Sequence, residues 1–425
     1  MITAVLFGSF LVLLILGVPV AVALGCGAVS ALLADGTIPL VVVGQRIFAA
    51  NDSFTLLAVP FFMLAGSIMT KGGISRRLVD FAQAFIGSVH GGLGFVATIA
   101  SMFFAAISGS SSATAAAVGG TLIPAMKDKG YDEDFSAAVI AASGTTGLVI
   151  PPSTAMCLYG VATGTSIGAL FVGGFIPGIL MGIACMIIIY VMARKRGYGG
   201  GAKSTGKEKL NAFKDAIWAI LMPIIVLGGI YAGIFTPTES AVIACVYGLF
   251  VSMVIYKDVT WKDIIPIAMD AVKGTAVALF IVSTAGIFGW FLVAYQIPQV
   301  IAAAMATITS SKIILLILIN VFLLFVGTFL SCSAAVTLLS PILYPVAVAF
   351  GIDPVAFGVI MTVNLSIGCI TPPVGVNLYV TQSISGVSFE KITKATLPFL
   401  GALLVVLFLI SFFPSIITFL PNLMK

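Results

Sequence analysis

Charge is the scarcest commodity in this 425-residue chain. Only 8% of the residues are Asp, Glu, Lys or Arg, against about 25% in soluble domains. A polar surface covering a water-soluble globule cannot be built from so few. There is one histidine, His90, which ends a helix-like run before Gly91-Gly92. No HExxH, Walker loop, GxSxG or dinucleotide fingerprint occurs, which leaves a zinc protease, an ATPase, a serine hydrolase or a dehydrogenase without a motif. The six cysteines (Cys26, Cys157, Cys185, Cys245, Cys332, Cys369) lack metal-ligand spacing and sit among small apolar residues, as core residues do. What abounds is apolar: 60% of the chain is hydrophobic and the mean hydropathy is +1.22. Runs long enough for membrane-spanning helices, about 17–25 residues each, recur throughout, with 45 glycines and 19 prolines inside them. The chain reads as an all-α, multi-pass membrane protein with no nucleic-acid partner, its partner surface being the lipid bilayer. The amino-terminal run lacks a basic flank or cleavage site and reads as retained helix, either two short arms around Pro19 or one bent helix over 2–34.

The one long hydrophilic stretch, 194–215, is "RKRGYGGGAKSTGKEKLNAFKD". Its basic character marks a cytoplasmic linker (193–215) by the positive-inside rule. It divides the chain into residues 1–192 and 216–425, which repeat one another. Pro372-Pro373 follows Pro151-Pro152 by 221 residues, and the same offset pairs Ser110 with Ser331, Ser112 with Ser333, Ala113 with Ala334, Pro124 with Pro345, Gly147 with Gly368 and Pro177 with Pro398. Near the starts of the halves an offset of 218 pairs Pro19 with Pro237. Basic residues do not follow the offset. Lys71, Arg76, Arg77, Lys127 and Lys129 fall on Leu292, Ile297, Pro298, Val348 and Phe350, whereas Lys257, Lys262, Lys391 and Lys394 fall on Gly36, Val41, Leu170 and Gly173. Opposite ends of equivalent elements carry the charge, so the halves have inverted topology, with Lys312 the one misfit. Inverted repeats are a hallmark of secondary transporters. In the second half, spans are expected near 216–234, 238–256, 264–293 and 395–420.

Each half carries two features that a simple bundle does not need. "SGSSSAT" (108–114) lies between apolar arms 93–107 and 115–126. As helices these rise only about 18–23 Å, short of the roughly 30 Å hydrocarbon core. They read as a re-entrant hairpin (93–126) with a non-helical, hydroxyl-rich tip. Its mate is a hairpin over 312–350 with the tip "GTFLSCS" (327–333). The second feature is the proline pair, which interrupts spans at 135–165 and 354–384. Proline removes a backbone donor and clashes with the preceding turn. The break frees carbonyls, hard ligands for Na⁺, and exposes half-helix N-termini, which favour a carboxylate. Packing of small residues is the plainer explanation of one serine cluster; duplication of both features favours a binding site. Thr236-Pro237-Thr238-Glu239 has the form of a capping box, and Asp353 and Asp132 that of helix caps. Arg46, Asn51, Asp52, Asp270 and Lys273 border apolar spans and stay outside the site.

"GSSSATAAAVGGTLIPAMKDKGYDEDFSAA", "IPPSTAMCLYG", "FTPTESA" and "TPPVGVNLYV" together resemble the large membrane subunit of tripartite ATP-independent periplasmic (TRAP) transporters, over essentially the whole chain. The resemblance implies an ion-coupled elevator transporter of the bacterial inner membrane, a small membrane subunit, a periplasmic substrate-binding protein, and organic-acid substrates such as sialic acid or C4-dicarboxylates. It implies no cofactor beyond Na⁺ as coupling ion. The family often carries an acid near the second tip, whereas here "FLSCSAA" holds none, which leaves hydroxyls and carbonyls at Ser331. The expected Na⁺ ligands are Ser108, Ser110, Ser111, Ser112, Thr145 and Ser153 in one half, and Thr328, Ser331, Ser333, Asn364, Gly368 and Thr371 in the other. Substrate is expected at Ser112, Thr114, Pro152, Ser333, Pro373 and Asn377. A stand-alone ion-coupled carrier is the alternative; an intramembrane enzyme or a passive scaffold has less support.

Overall fold

A computed structural model describes residues 2–200 and 204–424. Among these residues every regular element is a helix, and seven helices are long and apolar enough to cross a membrane. The chain is a multi-pass membrane protein.

The helices recur at the proline offset. The hairpin arms Gly92–Ser108 and Ser111–Asp128 are followed by Glu133–Gly144, a break, Thr154–Thr163 and the long Ile167–Arg196. In the second half Lys312–Gly327 and Cys332–Ala349 are followed by Pro354–Gly368, a break, Val376–Ser385 and Phe389–Phe412. Ser111–Asp128 and Cys332–Ala349 differ by 221 at both ends. Pro151-Pro152 and Pro372-Pro373 both lie in the breaks, each pair joined by a cis peptide bond.

The two halves exchange partners. Val376–Ser385 packs on Ser111–Asp128, while Thr154–Thr163 packs on Cys332–Ala349. Phe389–Phe412 lies against Glu133–Gly144, and Ile167–Arg196 against Pro354–Gly368. Buried Tyr159 donates to the Pro354 carbonyl at 2.9 Å, tying one broken helix to the other. The hairpins and broken helices thus form one interlocked body.

Around it stand the remaining long helices. Ile264–Ala294 packs on Val20–Asp35, Val41–Asn51 and Ala58–Lys71; Pro237–Phe250 packs on Ala58–Lys71, and Gly206–Tyr231 on Ile74–Ile86. Their polar ties are internal, such as Arg77 to Asp258 at 2.5 Å, Tyr295 to Asp35, and Asn51 to Ser283. Among the described residues no hydrogen bond or ion pair crosses from this frame (2–86 and 206–294) to the interlocked body. The seam mixes small groups and aromatic contacts: a Cβ on Gly66 would lie 3.2 Å from Ser108 Cα and one on Gly289 3.6 Å from Pro341 Cβ, while Phe62 packs on Phe171 and Phe81 on Phe103, each pair with ring centroids 6.2 Å apart.

Several expectations need correction. Residues 2–34 are not one bent helix: Ile2–Ile15 and Val20–Asp35 fold back on each other, Gly27 lying against Leu6 and Phe10. The tips are shorter than expected, because helix resumes at Ser111 and at Cys332. Serines read as loop are first-turn residues, capped by Ser110 and Ser331, whose hydroxyls accept from Ala113 and Ala334 N–H. The linker is also shorter. Ile167–Arg196 and Gly206–Tyr231 leave only 197–205 between them, since Thr205 and Glu208 form a capping box that starts the next helix inside the charged stretch. Residues 201–203 of the linker lie outside the described residues. The last span is Phe389–Phe412, stopped before Pro414, and Ser415–Leu423 is a separate short helix. Cys26 is exposed, unlike the other five cysteines.

Thr236 and Glu239 do form their capping box, and Asp353 caps its helix through Val355 and Ala356 N–H. Asp132 occupies the cap position but makes no cap bond. Its carboxylate instead accepts from Arg196 at 2.6 Å and from Tyr198 at 2.7 Å. The Tyr198 hydroxyl, with Arg196, holds that carboxyl below its ordinary value. Lys312, the misfit in the charge pattern, donates to the Gly351 carbonyl at 3.0 Å and closes the base of the second hairpin.

Candidate functional site

Both hairpin tips end against the break of their own half, and the chemistry at each join is hydroxyl to carbonyl. In the first half the Gly109 carbonyl accepts from the Thr154 hydroxyl at 2.8 Å. Thr114 donates to the Ser110 carbonyl at 2.7 Å, and its hydroxyl pairs with that of Ser108 at 2.9 Å. Ser153 caps Thr154–Thr163 and donates to the Leu148 carbonyl. Thr145 donates to Ala142 O at 2.6 Å. In the second half the Thr328 carbonyl accepts from Val374 N–H at 3.3 Å. Thr328 and Thr371 hydroxyls donate to carbonyls one turn back, Phe325 at 2.8 Å and Ile367 at 2.9 Å.

Glycine is required where tip and break touch. A Cβ on Gly368 would lie 2.5 Å from Gly327 O, and one on its mate Gly147 2.6 Å from Ser110 O. Real Cβ atoms do not approach so closely, so these positions bring backbone against backbone.

The two tips meet. Between them lies a cavity of about 90 Å³, walled by Ser110, Ser111, Ser112 and Leu148 from the first half and by Ser331, Cys332, Ser333 and Cys369 from the second. These are four mated pairs at the offset of 221. Val376 and Asn377 complete the wall; their mates, Ala155 and Met156, do not line it. A water molecule takes about 30 Å³ of liquid, so this space holds a few waters or one small anionic group.

Three helices begin at that cavity: Ser111–Asp128, Cys332–Ala349 and Val376–Ser385, each contributing first-turn residues to its wall. A helix N-terminus presents unpaired N–H groups and roughly half a positive charge. Three converging ends favour an anion without any arginine. Asn377 also joins the halves. Fully buried, it donates to Ser111 Oγ at 2.6 Å and to the Ala141 carbonyl at 2.9 Å.

Of the expected residues, Ser110, Ser111, Ser112, Ser331, Ser333 and Asn377 are brought together here. Ser108, Thr114, Thr145, Pro152 and Ser153 lie buried behind the first tip, with Pro152 in the turn of the break. Thr328, Gly368 and Thr371 sit at the second tip–break join, Pro373 is exposed, and Asn364 is buried one turn before the break. Sequence reading passed over Leu148, Cys332, Cys369, Val376 and Thr154. The repeat register carries a signal for one of them: Cys332 is the mate of the expected Ser111, whereas Leu148 and Cys369 are mates of each other.

Residues 7–416 match the family model described as tripartite ATP-independent periplasmic transporter, DctM component. The chain is 43% identical to an isethionate TRAP transporter permease protein DctMQ of Oleidesulfovibrio alaskensis, over 97% of this chain and 65% of that protein. It therefore spans less than two thirds of that relative. It is 42% identical to a C4-dicarboxylate TRAP transporter large permease protein DctM of Pseudomonas aeruginosa, covering 89% of this chain and 88% of the other. A sialic acid TRAP transporter large permease protein SiaM of Vibrio cholerae is 41% identical over 98% of both chains. The crystal structure of the Alcanivorax borkumensis YdaH transporter shares the fold, with a TM-score of 0.65 at 16% identity over 88% of this chain and 87% of that one. With a family match over nearly its whole length and relatives of this closeness, the chain belongs to the DctM-component family of the tripartite ATP-independent periplasmic transporters.

Proposed function

We propose that the chain is the large permease subunit of a Na⁺-coupled tripartite importer that carries an organic acid across the bacterial inner membrane. The observation that carries this reading is the cavity where three helix N-termini from both halves converge beside mated serines. It attracts a carboxylate through backbone dipoles. The relatives named above are designated for isethionate, C4-dicarboxylate and sialic acid, all organic anions. Na⁺ binds at the two tip–break joins, where hydroxyls and interrupted helices offer hard oxygen ligands. Which acid is carried is set jointly with a periplasmic binding protein, and a small membrane subunit braces the frame.

The halves cross the membrane in inverted sense, the first hairpin opening from the cytoplasm and the second from outside. The interlocked body slides as an elevator against the frame; a seam that no hydrogen bond or ion pair crosses among the described residues supports that motion. Na⁺ couples to transport if it favours the substrate-competent arrangement of the tips.

The experiment is uptake into proteoliposomes holding this chain and its small subunit, with the binding protein and labelled acid outside. Accumulation is expected only with an inward Na⁺ gradient. Accumulation independent of the gradient overturns the coupling, and full uptake without the binding protein favours a stand-alone carrier.

A further inference from the structure

Two apolar runs of the second half each hide one polar residue: Asn320 in "ILINVFL" and Ser411 in "FLISFFP". The structure brings both to Asn364, one on each side of a short polar thread. All three are buried, with Asn320 and Asn364 at 0% exposure and Ser411 at 2%. The thread links three elements: the first arm of the second hairpin, the broken helix and the last span.

Its hydrogen bonds have only one consistent direction. Ser411 spends its single proton on the Leu407 carbonyl at 2.8 Å. It then accepts from Asn320 Nδ2 at 2.9 Å. That turns Asn320 Oδ1 toward Asn364, where it and the Asn320 backbone carbonyl both accept from Asn364 Nδ2, each at 2.9 Å. An Asn364 amide turned the other way would set its oxygen against two acceptors. Asn364 Oδ1 therefore faces away from Asn320, and there it is buried with no partner. Such an acceptor costs free energy unless something binds it. The mated position in the first half differs. Ser143 faces Thr98 at 2.9 Å, and Thr98 also donates to the Gly94 carbonyl at 3.2 Å, which leaves no stranded amide oxygen.

We infer that Asn320 is a positioning residue for the coupling cation: with Ser411 it holds the Asn364 side-chain carbonyl, four residues before the Gly368 break, free to coordinate Na⁺. A hard amide oxygen suits that ion. The inference rests on the Na⁺-coupled reading above and adds to it a named lever on cation affinity.

The test uses the purified complex of this chain with its small subunit, Na⁺ as the probe and choline as the substitute at constant ionic strength. Asn320→Leu removes the side-chain acceptor facing Asn364, leaving only the backbone carbonyl there, and the donor facing Ser411. Loss of an outer-shell partner weakens metal binding by about tenfold or more, so the half-saturating Na⁺ concentration for uptake is expected to rise by about that factor. The Na⁺-induced rise in Tm is expected to shrink while Tm in choline changes little. Asn320→Gln keeps an amide oxygen for Asn364 and an amide N–H for Ser411, and is expected to restore part of the Na⁺ response. Ser411→Ala removes only the group that sets the direction, for about a threefold rise, and it carries the test if Asn320→Leu does not fold. Folded Asn320→Leu or Ser411→Ala with an unchanged half-saturating Na⁺ overturns the inference. So does a Tm in choline that falls equally in all three variants with the Na⁺ response intact. A wild-type complex indifferent to Na⁺ overturns the coupling itself, and the inference with it.

Discussion

The join between the halves at Asn377 is open to a double-mutant cycle. Asn377→Leu nearly conserves volume, so the cavity term stays small. What is lost is the pairing with Ser111 and the donation to the Ala141 carbonyl. In soluble proteins a stranded buried partner costs about 1–3 kcal/mol. Hydrogen bonds between membrane helices average only about 0.6 kcal/mol in such cycles, with a maximum near 1.7. The smaller scale is the appropriate one here, because an unfolded segment left in the bilayer also finds partners. Asn377→Leu is therefore expected to destabilise the complex by about 1–3 kcal/mol, having two partners to strand. Ser111→Ala is expected to cost about 1 kcal/mol, and the pair less than the sum by about 1 kcal/mol, since a serine already removed cannot be stranded. The assay is reversible unfolding of the purified complex in mixed micelles, four proteins side by side. Additivity within about 0.3 kcal/mol, the behaviour of independent sites, would refute the claim that this amide fastens one half to the other.

Three further outcomes follow from the geometry. Gly289→Cys with Pro341→Cys places two Cβ atoms about 3.6 Å apart across the seam, within disulfide range; oxidation is expected to stop uptake and reduction to restore it, and full uptake by the cross-linked protein would count against a sliding body. Gly368→Ala is expected to abolish uptake because its Cβ would lie 2.5 Å from Gly327 O, whereas Gly401→Ala, with nothing within 4 Å, leaves uptake unchanged; equal effects in uptake assays would contradict the close approach. For Asp132, the folded carboxyl is held low by Tyr198 and Arg196, so its stabilising contribution exists above the unfolded value of about 3.9 and is lost as pH falls through the folded one. Asp132→Asn should then melt below wild type at pH 7, and the gap should close as pH falls below the unfolded value of about 3.9; a gap that does not narrow in acid would refute the assignment.

Punctuation made the repeat legible. Prolines and glycines are hard to place in register by chance, and the one offset they gave matches both ends of Ser111–Asp128 and Cys332–Ala349. The tips were legible as places but not as conformations. Serine-rich stretches read as loop, yet Ser111 and Ser112 sit in a helical first turn because Ser110 satisfies the cap. Asn377 was visible by its chemistry. What it touches was not, since Ser111 lies 266 positions away. Asn320 and Ser411 were invisible for a different reason: each is a lone polar residue in a run of leucines, isoleucines and phenylalanines, and only packing shows that they face one another.

The partner exchange between halves also sets a schedule for synthesis. Ser111 and the Ala141 carbonyl leave the ribosome long before the residue that satisfies them, 266 and 236 positions later. At about 5–20 residues per second that wait lasts on the order of 10–50 s. Throughout it the face of Ser111–Asp128 and Glu133–Gly144 on which Val376–Ser385 packs has no occupant from the second half. A stall anywhere before residue 377 therefore leaves a fragment that lacks the amide fastening Ser111 and the Ala141 carbonyl to the second half.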